Sequence, residues 1–322
     1  MLIKWCFVSL IFLLPLKMVA QAIDNTTSFR NISSEHYVRL IYENDFFTAS
    51  DRDYTQGISL EIVSPGLRKF FLSKILWYPR SKPVSFGLSL ETDTYTPNLI
   101  DKTEIQYGDR PYASDIMLKS FVIATDNIKG TSFSSQLSIG VIGPWAGGKE
   151  MQTAIHNWIA YKKPLGWHNQ IKNDVVLNYQ LNFEKRIAEL TNNFLLNGFG
   201  TARAGTLNTK AGVGMNLMAG AFHSPFSLAD ISQRKKIKLY FYNQAAVNVV
   251  GYDATLQGGL FNRSSVYTIP SVQLDRLVFQ NRYGIVLSWR RLWVEYFKSF
   301  QTLEYDSGVE HKTGGLQLGF IL

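Results

Sequence analysis

Gln152 and His156 stand four residues apart in the string Gly143-Pro144-Trp145-Ala146-Gly147-Gly148-Lys149-Glu150-Met151-Gln152-Thr153-Ala154-Ile155-His156. On a helix that spacing puts both side chains on one side. The apolar residues Met151, Ile155, Trp158 and Ile159 form a neighbouring face, expected to pack. A neutral imidazole takes a proton from water near neutral pH, so His156 is the best candidate base. The plain alternative for a helical histidine is a surface residue. Of five histidines, only His156 has a polar partner one helical turn before it. Neither a Gly-x-Ser-x-Gly elbow nor a His-Glu-x-x-His zinc string is present. A histidine-activated water is therefore simpler than a serine nucleophile.

A second group is Asn44-Asp45, at the end of an alternating run. A carboxylate beside an amide offers hard oxygen ligands, which suit Ca²⁺ better than a transition metal. The same dipeptide also suits an Asx turn closing a hairpin. If residues 46–53 form that hairpin loop, Thr55 comes to lie beside Asn44 and Asp45 across the strand pair. Asp51 and Asp53 resemble metal ligands, but they lack the offsets of an EF-hand loop. Lys102 follows a strand and can meet a phosphate as a point charge, or simply be a solvated lysine. Asp109-Arg110-Pro111 reads as a structural turn.

The elements that must position these groups are mostly strands. The first 22 residues read as a secretory leader: Lys4, an apolar run from Trp5 to Leu16, and a small-x-small site at Ala20-Gln21-Ala22. That run is shorter than a membrane-crossing helix needs. Cys6 is the one cysteine and falls within the leader, so the exported chain has no disulfide or thiol chemistry. Residues 23–322 read as one domain. Hydrophobic residues make up 46% and aromatics 14%, yet no later apolar run is long enough for a spanning helix. Net charge is +8, or +6 without Lys4 and Lys17. Dispersed basic charge on an exported chain suits an anionic lipid surface and argues against a nucleic-acid partner.

Apolar and polar residues alternate in segments of about ten, the pattern of a transmembrane strand. Val175, Leu177, Tyr179, Leu181 and Phe183 alternate with Val176, Asn178, Gln180, Asn182 and Glu184. Similar runs occur around residues 58–62, 84–91, 133–141 and 316–322. Further candidate strands lie near 36–47, 112–124, 193–204, 211–222, 236–249, 274–289 and 291–304. The total is about twelve, an even number as bacterial barrels have. The expectation is an all-β, transmembrane antiparallel β-barrel with a short extracellular loop helix. A soluble sandwich shares the alternation. The aromatics Tyr78, Tyr95, Trp289 and Trp293 at strand ends favour lipid interfaces. Twelve strands make a narrow barrel that Arg39, Glu61 and Glu184 can fill.

Together these strings resemble the LpxR family of outer-membrane lipid A 3′-O-deacylases. The matching pieces are Glu43-Asn44-Asp45, Asp53-Tyr54-Thr55-Gln56-Gly57, Tyr95-Thr96-Pro97 with Lys102, Gly108-Asp109-Arg110, Gly140 through Gln152 and His156, and Gly166-Trp167 with Gln170. The resemblance implies an outer-membrane location and an active site at the extracellular end, between the wall and a helix near 149–161. It implies Ca²⁺-dependent hydrolysis of the 3′ ester-linked acyl groups of lipid A in lipopolysaccharide. By that analogy His156 activates water, and Asp45 helps hold Ca²⁺. Asn44, Thr55 and Gln152 complete the site. Lys102 and Tyr54 meet the substrate. Apart from the analogy, a monomeric barrel is the expectation. The chain departs from the family pattern at Thr103, where Arg follows the lysine, and at Lys162, where a Glu stands six residues beyond the histidine. Lys162 motivates the alternative, a catalytically inactive lipid-binding or structural barrel.

Overall fold

The computed structural model describes residues 24–48, 54–80, 83–190, 193–226, 237–308 and 310–322. The expected leader, Asp51 and Asp53 lie outside the described residues. The strands are β1 (Tyr37–Asn44), β2 (Gln56–Val63), β3 (Val84–Tyr95), β4 (Ala113–Asp126), β5 (Thr131–Ile142) and β6 (Asp174–Leu190). They continue with β7 (Phe194–Gly205), β8 (Asn208–Ala221), β9 (Ile237–Asp253), β10 (Leu277–Trp289), β11 (Leu292–Gln301) and β12 (His311–Ile321). Helix α1 (Gly148–Trp158) joins β5 to β6, and the short α2 (Ala254–Gln257) follows β9. Each strand pairs antiparallel with its sequence neighbour, and β12 closes on β1 through Asn44↔Gly314 and Tyr37↔Ile321. The expected twelve-stranded antiparallel barrel is the observed fold. No described helix is long and apolar enough to cross a membrane.

The period-two pattern sorts side chains between the two surfaces of the wall. The row Leu40, Leu60, Leu90, Leu118, Ile139 and Leu177 runs across six neighbouring strands on the outer face. One residue out of step, Arg39, Glu61, Ser89 and Lys119 run across four strands on the lumen face. Several charges on that face are buried and paired: Arg39 with Glu61 at 2.6 Å, Arg282 with Glu43 at 3.3 Å, and Lys119 with Glu91. Pairing is what makes such burial tolerable, since an isolated buried ion costs several kcal/mol.

Residues 24–34 thread the lumen from the end where the chain enters β1. Arg30 pairs with Glu295 at 2.7 Å, and the Ser28 backbone N–H donates to Glu184 at 2.8 Å. The Asn25 amide donates to Glu61 at 3.0 Å, and Phe29 stacks on Tyr242 with centroids 4.1 Å apart. Arg39, Glu61 and Glu184 do fill the barrel as expected, with this segment among them. Two expectations change. Tyr95 and Trp293 turn inward and are buried, instead of lying at a lipid interface; Trp293 packs beneath the Arg39 guanidinium. Trp289 is exposed on the wall as expected.

The connections 127–130 and 290–291 are short turns at the end that also holds the entry to β1 and the exit from β12, where the longer connections from β2 to β3 and from β8 to β9 also lie. The opposite end carries the connections 45–55, 96–112, 143–173, 254–276 and 302–310, and the two-residue link 206–207. Short turns mark the periplasmic side of outer-membrane barrels, and long loops mark the outside. Every site residue expected from the sequence lies at the long-loop end.

Candidate active site on the outer face of the rim

Strand alternation turns single polar residues outward at the tops of β1 to β4. On β1 the outward positions are Val38, Leu40 and Tyr42, and then Asn44. Glu43 faces Gly57, so Asn44 falls beside Gln56 at the next step. Gln56 faces Thr94, and Thr94 faces Ser114. A polar row therefore runs from Asn44 through Gln56 and Thr94 to Ser114, one strand apart at each step, or about 4.8 Å. It sits above the apolar outer band, where lipid chains give way to head groups.

Helix α1 lies over the Ser114 end of this row. A Cβ on Gly148 would come within 2.4 Å of the Ser114 Cβ, so a glycine is needed for the approach. The buried residues of α1 are Gly148, Gln152 and His156, a stripe with one residue per turn. The expected geometry of Gln152 and His156 is thus observed, and both face the protein. The expected packing of the apolar face is not. Trp158 is 86% exposed, Ile159 is exposed, and Met151 and Ile155 are half-buried. The helix turns its polar stripe inward because the rim beneath it is polar.

The imidazole is held by the way α1 ends. Ala160 takes a left-handed conformation with φ 55°, and the Tyr161 N–H donates to the His156 carbonyl at 2.8 Å. This is a Schellman-type reversal. It carries the Lys162 carbonyl to His156 Nδ1 at 2.6 Å. A carbonyl only accepts, so Nδ1 carries a proton and donates to it. The Tyr161 ring meets the imidazole edge-on at 5.2 Å. The family position occupied by Lys162 thus orients His156 through its backbone. The Lys162 side chain reaches out to Asp101 at 3.8 Å.

Gln152 is fixed in the same way. The buried Trp167 indole N–H donates to Gln152 Oε1 at 2.7 Å. An indole nitrogen only donates, so the Gln152 NH₂ points elsewhere and remains a donor. Trp167 leans on Tyr112 at 4.9 Å, and the Tyr112 hydroxyl donates to the Ile100 carbonyl. Burial raises the Tyr112 hydroxyl pKa above its usual value. The Leu165 N–H donates to the Ile100 carbonyl at 2.8 Å, and the Asn169 amide to the Thr103 carbonyl at 2.9 Å. These bonds zip loop 96–112 to the segment after α1. They bring exposed Lys102 beside that segment, its carbonyl lying under Gly166.

Asn44 ends β1, and Asp45 opens a 3₁₀ turn to Thr48, so the expected strand to 47 stops three residues early. Asp45 is buried, and Asn44 donates to the Tyr42 hydroxyl at 3.1 Å. Continuing the β1–β2 register places Thr55 at the step opposite Asp45, as expected. The Thr55 N–H donates to the Thr94 carbonyl at 2.9 Å, and its hydroxyl shares a hydrogen bond with Thr96 at 2.8 Å. Tyr54, expected at the substrate, turns into the lumen and donates to Asp93 at 2.7 Å. Burial and the Asp93 carboxylate hold its hydroxyl well above the usual phenol range, so it stays a donor. A side chain on Gly57 would collide with that hydroxyl, which accounts for the glycine. His156 makes its contacts with Lys162 and Tyr161, and none of them reaches Asn44 or Asp45. The two halves meet through the polar row.

Gln56, Thr94 and Ser114 carry no motif of their own. Their signal is a polar residue where outward alternation predicts an apolar one. Gln56 is buried, and its Nε2 has no hydrogen-bond partner among the described residues. It is a donor left available on the row.

Among the described residues no three of His, Cys, Asp and Glu gather as metal ligands. Asp45 offers a carboxylate, and its neighbours in sequence and register, Asn44 and Thr55, an amide and a hydroxyl oxygen. Oxygen donors of that kind suit a hard cation. They do not fit zinc, which takes nitrogen and sulfur.

Comparison with known proteins agrees with the geometry. No curated protein matches the sequence. Among solved structures, LpxR from Salmonella typhimurium superposes with a TM-score of 0.73 at 20% identity, covering 89% of this chain and 100% of that one. The β domain of the Bordetella autotransporter BrkA gives a TM-score of 0.46 at 8% identity, covering 89% and 98%. The model of the family described as outer membrane protein LpxR matches residues 5–322. With nearly its whole length matched, this chain is a member of the LpxR family of outer-membrane β-barrels.

Proposed function

We propose that this barrel is a lipid A 3′-O-deacylase that cleaves the 3′ acyl ester of lipopolysaccharide in the outer leaflet. One observation carries the reading most directly. A buried imidazole, 6% exposed, is held at Nδ1 by a backbone carbonyl on a helix that rests on the Ser114 end of a polar row outside the barrel wall. A lumen enzyme would have no reason to build there. A lipid whose chains lie against the wall and whose sugars lie at the rim reaches that place by lateral diffusion.

In this account Nε2 of His156 takes a proton from water as the oxygen attacks the ester carbonyl. The same nitrogen returns the proton to the leaving sugar oxygen. The Gln152 NH₂ and the Gln56 Nε2 donate toward the developing oxyanion or the sugar. Asn44 and Thr55 orient the ester, and Lys102 meets the substrate phosphate as a point charge. Asp45, with the Asn44 and Thr55 oxygens, would hold Ca²⁺. When bound, that ion supplies Lewis-acid polarisation of the carbonyl. The reading of an inactive barrel rested on Lys162, and the imidazole is oriented without any side chain at that position.

The test uses purified, folded protein with lipid A in detergent. Products are weighed by mass spectrometry with Ca²⁺ present or chelated. Loss of the 3′ acyl group, arrested by chelation, is the expected result. An unchanged acyl pattern with Ca²⁺ present would refute the reading.

A further inference from the structure

Helix α1 is inverted relative to an ordinary amphipathic surface helix. Its polar stripe, Gly148, Gln152 and His156, is the buried face. Trp158 is 86% exposed and Trp145 74%. Ile159, Tyr161 and Leu165 join them. The helix lies outside the wall, because Gly148 rests on Ser114, an outward-facing residue at the top of β4. Its far side therefore faces sideways, away from the barrel, at the level of the rim. Below the turn that leads into α1, whose Trp145 N–H donates to Asn173 beside the start of β6, the outer wall is apolar: Val175 and Leu177 on β6 are both exposed. The exposed apolar side of α1 and of the turn before it thus adjoins the membrane-facing band of the barrel. The loops around it carry exposed Lys102, Lys149, Lys162 and Lys163 against Glu150, Asp101 and Glu104.

We infer that α1 and its flanking turns form an interfacial anchor. Trp145, Trp158 and Ile159 enter the boundary between head groups and acyl chains of the outer leaflet, and the lysines meet anionic head groups. Three physical points carry this. Two tryptophans, Trp158 at 86% and Trp145 at 74%, are largely uncovered by the described residues, and tryptophan partitions to membrane interfaces. A helix in an interface buries its apolar face about 5–10 Å into the head-group and acyl boundary, which suits a helix at the strand tops. Basic residues beside an apolar face complement an anionic leaflet. The inference needs only the outer-membrane barrel and does not depend on the deacylase reading. The anchor would hold the covered polar row at the depth of the lipid head groups.

The test is a depth measurement on the full barrel in vesicles of phosphatidylcholine and an anionic lipid. Cys6 is the only cysteine, so a Cys6→Ser background gives single labelling sites. Bimane is attached at Trp158→Cys, at Trp145→Cys and, as control, at Asp306→Cys in loop 302–310. All three positions are exposed, and a heat-modifiable gel shift confirms folding of each variant. Lipids brominated near the head group should quench the probes at 158 and 145 several times more strongly than the probe at 306. Blue-shifted emission should accompany that quenching. Equal quenching at all three sites would overturn the inference. So would a blue shift at 158 without bromolipid quenching, since protein and not lipid would then cover the face. Replacing Lys149, Lys162 and Lys163 with Gln should reduce the quenching at 158 in anionic vesicles. Quenching unchanged by that replacement would remove the lysines from the anchor.

Discussion

Two side chains at the rim are committed by partners with only one hydrogen-bonding option. The Lys162 carbonyl accepts and cannot donate, so Nδ1 of His156 donates to it and Nε2 is the nitrogen that the proposed mechanism uses. The Trp167 indole donates and cannot accept, so Gln152 presents its NH₂. The first pairing predicts that Lys162→Glu leaves the deacylation rate nearly unchanged, because the orienting atom belongs to the backbone. A large rate change, measured by acyl release, would assign the side chain a role. The second predicts that Trp167→Phe is costly. It leaves a buried amide oxygen without its donor, worth about 1–3 kcal/mol. Slower acyl release and a lower melting temperature are expected together. Gln152 and His156 were legible in the sequence from their spacing alone. Gln56, Thr94 and Ser114 were not, since one polar residue at a strand end looks like ordinary solvation until the register lines it up with its neighbours.

At the scale of elements, α1 depends on a close approach at one end and a tight reversal at the other. Gly148→Ala should push the helix off Ser114, because the added Cβ would stand 2.4 Å from the serine Cβ. Acyl release should fall in this variant while the barrel folds normally. Adding Ser114→Gly should restore part of the activity, and failure of that rescue would count against the contact. Ala160 holds φ 55°, a conformation that costs a non-glycine residue about 1 kcal/mol. Ala160→Gly should therefore slow amide hydrogen exchange in the last turn of α1. Alternation located all twelve strands, and the glycine-rich turn located the helix. The direction in which α1 faces was hidden, because an apolar helix face is normally a packing face. Only the polar rim beneath it reverses that rule.

The whole molecule is a barrel whose lumen is closed by its own leading segment. Residues 24–34 are polar and carry no regular period, so nothing in their pattern marked them as structural. Their partners are buried lumen carboxylates, Glu61, Glu184 and Glu295, on three distant strands. The sequence reading had filled the lumen with barrel side chains alone. Small polar cavities remain, sharing Lys210, Asn248 and Gln280. The filled lumen predicts little ion conductance in planar bilayers. Arg30→Ala should leave Glu295 unpaired and destabilise the barrel, by about 3–5 kcal/mol for a broken buried pair. Denaturant unfolding in detergent measures that loss, and frequent open-channel steps in the variant would mark a loosened segment.

On the proposed reading the barrel works on its outside, with the lumen filled and the chemistry placed where lipid meets the rim. The most direct test compares purified wild-type protein with His156→Ala on lipid A, by mass spectrometry at equal folded concentration. Removing a positioned base should lower the rate of 3′ acyl release by about 10²–10⁴ while the heat-modifiable fold persists. Undiminished release by the folded variant would contradict the account.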